Sequence, residues 1–108
     1  MTAEAAPTLT ADAWQRVSAV VVTHRSGGVI RQCLERLSKA AKIVVIDNAS
    51  DDDTIDIVTG TAPDSQFLRN QVGVGYGNAA NQGLATIETE FALLVNPDAV
   101  VEPGAIEH

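Results

Sequence analysis

The sequence predicts an α/β fold: a mostly parallel sheet with helices on both faces. Three short apolar runs carry this prediction, residues 17–23 (VSAVVVT), 42–47 (KIVVID) and 91–95 (FALLV). Each is continuously apolar rather than alternating, the pattern of a strand covered on both sides. Segments with helical spacing separate them, and strands that alternate with helices build parallel crossovers. At 108 residues the chain is the size of one domain. Its 45% hydrophobic content is that of a globular protein.

The elements follow in order. Residues 1–13, rich in Ala and Thr with Pro7, read as a flexible leader, and residues 14–108 as the domain. Trp14 precedes the first strand and is placed to cover the edge of the core. After residues 17–23 comes a turn, Ser26-Gly27-Gly28, and then Ile30, Cys33, Leu34, Leu37 and Ala41 at helical spacing. Residues 42–47 form the second strand and 48–50 a turn. Ser50 with Asp53 resembles a capping box, opening a short helix that runs to about Thr59 and is closed by Gly60. Residues 67–69 are a small third strand. A Gly- and Asn-rich loop (70–78) leads into a helix through Ala79, Ala80, Leu84 and Ile87. The strand at 91–95 stops at Asn96-Pro97, since proline cannot donate to a ladder and restricts the residue before it. Pro103 begins what looks like the first turn of another helix, and the chain is expected to be a fragment on that account.

Composition narrows the function. Seven Lys and Arg stand against 14 Asp and Glu, for a net charge of −7, and the cations form no stripe. Nucleic acid is therefore not an expected partner. The single cysteine, Cys33, cannot form an internal disulfide and falls on the apolar helix face. No signal peptide is evident, and no apolar run approaches the roughly 20 residues that span a bilayer. The expected location is the cytoplasm.

Several positions carry chemistry. Asp47 closes the second strand, where ligands of open α/β sheets bind, and Thr23 ends the neighbouring strand; the alternative is a turn aspartate capping Ala49 or Ser50. Asp51, Asp52 and Asp53 suit a helix dipole better than a metal. Gly75, Gly77 and Ala80 fit G-x-G-x-x-[GA], with Asp98 after the next strand, which is a dinucleotide fingerprint. The same loop also reads as a plain glycine turn, or as a lid presenting Asn70, Asn78 and Asn81. Asn96-Pro97-Asp98 places a carboxylate in a stiff loop after a strand, a place for Mg²⁺ when a diphosphate supplies further oxygens; an ordinary Asx-Pro turn is the alternative. His24 lies just past the first strand, where a lone histidine is more often a turn residue. Arg25 and Arg69 could approach a diphosphate, but the sequence does not place them.

Together these segments resemble the amino-terminal half of a family 2 glycosyltransferase with the Rossmann-like GT-A fold. The carrying stretches are VVVTHR (20–25), VIDNASDD (45–52), NQVGVGYGNAANQG (70–83) and LLVNPD (93–98), in the family's order and spacing. The N-P-D version is most similar to rhamnosyltransferase-like members. The resemblance implies a nucleoside-diphosphate sugar donor, dTDP-rhamnose among the candidates, and inverting transfer to an acceptor hydroxyl in cell-envelope polysaccharide synthesis. It implies donor contacts from Thr23, His24, Asp47, Asn78, Asn81 and Asn96, and Mg²⁺ or Mn²⁺ held by Asp98. The acceptor would be a glycan or glycolipid, which makes peripheral contact with the inner face of the membrane an expectation. Asn96 stands where the family has the first acid of D-x-D, and His24 where it usually has an aromatic residue. The family's catalytic base lies beyond the metal motif, so it is expected beyond His108, and the chain alone is expected to turn over poorly or not at all. A dinucleotide-dependent oxidoreductase fragment and a non-catalytic interaction module are the competing readings.

Overall fold

The structure is a computed structural model that describes residues 11–97. Its elements are α1 (Ala11–Trp14), β1 (Val17–Thr23), α2 (Ile30–Arg36), β2 (Lys42–Asn48), α3 (Thr54–Thr61), β3 (Gln66–Asn70), α4 (Tyr76–Leu84) and β4 (Phe91–Val95). The four strands form one sheet in the order β3-β2-β1-β4, and every neighbouring pair is parallel. β1 lies inside the sheet, and all seven of its residues are buried. The register sets Val21 beside both Val45 and Val95, and Thr23 beside Asp47.

Side chains alternate across a strand, so a mainly apolar run can serve two cores at once. On one face Val17, Ala19, Val21, Val45 and Val95 pack with Ile30, Cys33, Leu34 and Leu37 from α2 and its end, and with Val58 of α3. On the other, Val20, Val22, Val44 and Ile46 meet Ala79 and Ala80 of α4. β4 departs from the burial expected of it: Val95 is buried, but Phe91 and Leu94 are exposed. Burying a side chain such as Leu34 or Ile30 contributes about 1.5–3 kcal/mol each. Trp14 is buried at the margin of the first core, as its sequence position suggests. Gly83 lets α4 sit low on the sheet, because a Cβ there would lie 2.6 Å from Val20 Cγ1.

The helix ends differ from the sequence reading. α1 takes in residues assigned to the leader. α2 stops at Arg36, and Ala41 is not on its face: its N–H donates to the carbonyls of Trp14 and Val17, which ties it to the start of β1. α3 begins at Thr54, and Ser50 does not cap it. Asp53 is the N-cap and makes no side-chain capping bond; Gly60 lies within the helix, which closes with Ala62 N–H on Val58 O. Ile87 lies past the end of α4 yet still packs on the second core. The helical turn expected from Pro103 lies outside the described residues.

Candidate functional site

Chain order runs outward from β1 to β2 to β3, and β4 then returns to the other side of β1. At such a reversal the crossovers part, and ligands of open α/β sheets bind at the carboxyl ends of the strands there. A cleft of about 660 Å³ occupies this place, lined by His24, Arg25, Asn48, Tyr76, Asn96 and Pro97, among others. A second hollow of about 490 Å³ lies at the opposite end of β2, between the ends of α2 and α3. Thr61, on its wall, has the one buried side-chain polar atom without a partner among the described residues. The first cleft is the one at the carboxyl ends of the strands, beside the reversal of strand order.

The floor of that cleft is a web of hydrogen bonds between the β1–α2 and β2–α3 turns. Thr23 Oγ1 donates to Asp47 Oδ1 at 2.7 Å, and Ser50 Oγ donates to the same oxygen at 2.6 Å. Ser50 N–H donates to Asp47 Oδ2 at 3.0 Å. Thr23, Asp47 and Ser50 are all buried, and a buried carboxylate is tolerated only when its oxygens are occupied in this way. Further out, Arg25 N–H donates to Ser50 Oγ (2.8 Å), Ser26 N–H to Thr54 Oγ1 (2.8 Å) and Gly27 N–H to Asp52 Oδ2 (3.3 Å). Arg25 and Ala49 hold left-handed backbone, at φ 50° and 59°. Left-handed non-glycine residues are uncommon and concentrate at functional sites.

The three aspartates divide their work. Asp51 pairs with the Arg25 guanidinium. Asp52 accepts from the hydroxyl and the N–H of Thr54 as well as from Gly27. Those donors, the Thr54 hydroxyl foremost, hold its carboxyl below the usual carboxylate range, against the opposing effect of burial. The carboxylates of Asp51 and Asp52 thus serve the turns, while Asp53 makes no side-chain capping bond, and no group of three His, Cys, Asp or Glu able to hold a metal occurs among the described residues. The described residues lining the cleft include no carboxylate and do not by themselves form a metal centre. Asp98, the carboxylate the sequence assigns to that task, lies outside the described residues.

The glycine loop leads to the cleft through Tyr76, and its Val74 N–H bonds to Asn48. His24 Nδ1 lies 2.7 Å from the Asn48 carbonyl oxygen. A carbonyl only accepts, so Nδ1 carries the hydrogen, and Nε2 of the neutral ring is an acceptor. Asn48 Oδ1 accepts from Val74 N–H at 3.0 Å, which leaves the Asn48 amide NH₂ as its donor to a ligand. Gly75, at φ 84° and ψ 155°, turns the chain into α4 in a region essentially reserved for glycine. This conformation explains Gly75 without a dinucleotide. The loop also follows β3, the outer strand, whereas a dinucleotide fingerprint belongs to a turn at the switch point.

The expected donor residues therefore separate into three groups. His24 and Asn96 line the cleft. Thr23 and Asp47 lie beneath it with no exposed surface. Asn78 and Asn81 are exposed on α4 outside the lining, Asn78 Nδ2 donating to Val74 O at 2.9 Å. Asn70 pairs with Gln82 through both amide groups, at 2.8 and 3.0 Å. Sequence reasoning missed Asn48 and Tyr76. The signal for Asn48 was its place as the last residue of a strand that runs one residue beyond Asp47.

The family model for glycosyl transferase family 2 matches residues 18–108. No curated protein matches the chain. Among solved structures, S. aureus TarS 1-349 superposes with a TM-score of 0.70 at 28% identity over 77% of this chain. TarS 1-349 in complex with UDP superposes equally well, at 27% identity. M. tuberculosis glucosyl-3-phosphoglycerate synthase reaches a TM-score of 0.74 at 17% identity over 90% of this chain, a likeness of fold. The chain spans 27% of the TarS 1-349 chain and 42% of the synthase chain. The four-stranded parallel sheet agrees with the GT-A architecture of these structures, and the matched residues cover nearly the whole chain, which belongs to glycosyl transferase family 2.

Proposed function

We propose that the cleft at the ends of β1, β2 and β4 holds the nucleoside diphosphate of an activated sugar, for inverting transfer of that sugar to an acceptor hydroxyl. The observation that carries this reading is the pairing of complementary polar groups on one wall. His24 offers an acceptor at Nε2 and Asn48 a donor amide, and the edge of a nucleobase presents donors and acceptors of that kind. TarS, 27% identical, was crystallised with UDP, which supports the assignment. Thr23 and Asp47 act from below by fixing the turn that carries His24, and Asn96 contributes from the end of β4. Asn78 and Asn81 approach the donor from α4.

A divalent cation, Mg²⁺ or Mn²⁺, held by Asp98, belongs to the same reading; bound there it offsets charge on the departing diphosphate. A mycobacterial synthase of the same fold was crystallised with Mn²⁺ and UDP. The donor proposed is dTDP-rhamnose and the acceptor a glycan or glycolipid at the cytoplasmic face of the membrane. Among the described residues no helix is long and apolar enough to cross a membrane, so contact with such an acceptor would be peripheral. No carboxylate among the described cleft residues is available to take the acceptor proton, and the 108-residue chain is proposed to bind donor without efficient turnover.

A thermal-shift titration with dTDP, UDP and GDP, each with and without Mn²⁺ and with NAD as control, tests the proposal. Stabilisation by one diphosphate that depends on the metal and is lost in Asp98→Ala is the expected result. A melt unmoved by every nucleotide overturns it, and sugar transfer by the purified chain overturns the statement about turnover.

A further inference from the structure

The cleft must accommodate an anion in a chain whose net charge is −7. Of the described residues lining it, Arg25 is the one with a permanent positive charge. Arg69, the other arginine near these turns, is not in the lining; its Nη2 donates to the Ser50 carbonyl at 3.3 Å, beneath the cleft. The Arg25 side chain is 58% exposed and its partner Asp51 73% exposed, so their ion pair is a weak, solvent-screened contact. Arg25 also sits at φ 50°, a left-handed backbone that Asn or Gly adopts more readily than Arg. The Arg25 N–H bond to Ser50 and the Ser26 N–H bond to Thr54 fix that conformation, whatever side chain it carries. The position is thus occupied by a side chain its backbone does not favour, with its guanidinium at the cleft.

We infer that Arg25 is a diphosphate-binding residue of the donor site, its guanidinium exchanging Asp51 for the phosphate oxygens when the nucleotide enters. This rests on the nucleoside-diphosphate reading above and adds to it the cation that recognises the phosphates. A guanidinium matches two phosphate oxygens with parallel N–H bonds, whereas the exposed carboxylate of Asp51 holds it only loosely. Asp51 is then a competitor of the ligand as well as a placeholder for it.

Binding of UDP, dTDP and GDP, each in the presence of Mn²⁺, to the 108-residue chain by calorimetry identifies the diphosphate that binds, and the variants are compared on that one. Arg25→Gln is expected to weaken binding about tenfold or more and to reduce its sensitivity to salt. Arg69→Gln, outside the lining and acting only through the Ser50 turn, is expected to weaken binding less than Arg25→Gln. Asp51→Asn is expected to tighten it, because the competing charge is gone. Arg25→Asn, which suits the left-handed backbone, is expected to melt above the parent protein while binding as weakly as Arg25→Gln; its melt shows that weak binding is not misfolding. Binding by Arg25→Gln within twofold of the parent, an equal loss in Arg69→Gln, or weaker binding by Asp51→Asn overturns the assignment. If the parent protein binds none of the three diphosphates, the donor-site reading itself falls, a result distinct from any of these.

Discussion

Asp47 has no exposed surface, and its two oxygens receive three hydrogen bonds from Thr23 and Ser50. A carboxylate so engaged holds two turns in place rather than reaching for a ligand. Thr23→Val keeps the shape of the side chain and removes one donor to that carboxylate. It is expected to cost about 1.5–3 kcal/mol of stability in a denaturant melt. If Thr23 and Asp47 only support the turns, nucleotide affinity measured on the folded variant changes little; a loss well beyond that assigns them direct donor contact, as the family resemblance implies. The sequence placed both residues at strand ends and paired them correctly. It did not show that Thr23 donates to Asp47 or that both are wholly buried, since these depend on the register and on what packs over the strand ends. His24 was the converse case: a lone histidine reads as a turn residue until its Nδ1 is seen fixed on the Asn48 carbonyl.

At the scale of elements, α4 shows how small residues set the geometry. Ala79, Ala80 and Gly83 form its buried face, and the helix rests on β1 and β2 through them. Gly83→Ala has two opposed effects. Helix propensity favours alanine by up to about 1 kcal/mol. The new methyl would meet Val20 Cγ1 at 2.6 Å and Ile46 Cγ1 at 3.3 Å, inside a core with nowhere to give, and overpacking of this kind costs about 1–3 kcal/mol. The clash outweighs the propensity, so the variant is expected to melt lower than the parent; an unchanged or raised melting temperature would show that α4 can lift from the sheet. Periodicity revealed this helix but not its closeness to the sheet, which depends on the partner face.

The start of α3 adds a pH effect. Asp52 has its carboxyl held low by the Thr54 hydroxyl and by the Thr54 and Gly27 amides. It therefore binds a proton less readily in the fold than in the unfolded chain. Its stabilising contribution is complete above the ordinary carboxylate range and fades as pH falls through the lowered value. Asp52→Asn should melt below the parent at neutral pH, with the difference narrowing in acid. A gap of constant size between pH 7 and pH 3 would remove Asp52 from that role. The capping box read at Ser50 failed for a related reason: two earlier demands, Asp47 and the Arg25 N–H, already occupy its hydroxyl.

Over the whole molecule, the four strands divide the labour between their faces and their ends. The faces carry both cores, and the carboxyl ends carry the cleft. The apolar runs made the sheet legible, and for β1 and the carboxyl half of β2 its two-sided covering too; β4 reads as equally apolar, yet only Val95 is buried and Phe91 and Leu94 are exposed, so an apolar run alone does not say what packs on it. The cleft was only partly legible, since Asn48 comes to it through a strand that runs one residue beyond Asp47 and Tyr76 through the loop after β3. Stability and binding should therefore separate by mutation. Leu37 is wholly buried at the end of α2, far along the sheet from the cleft, and Leu37→Ala is expected to cost about 2–5 kcal/mol. Its folded fraction should still bind nucleotide with parent affinity. Ser50→Ala removes a smaller amount, about 1–3 kcal/mol, but frees the Arg25 N–H and one side of Asp47 together. The turn bearing His24 and Arg25 then loses its anchor, and nucleotide affinity should fall although the protein remains the more stable of the two. Parallel losses of stability and affinity in both variants would mean that the cleft has no architecture apart from the core beneath it.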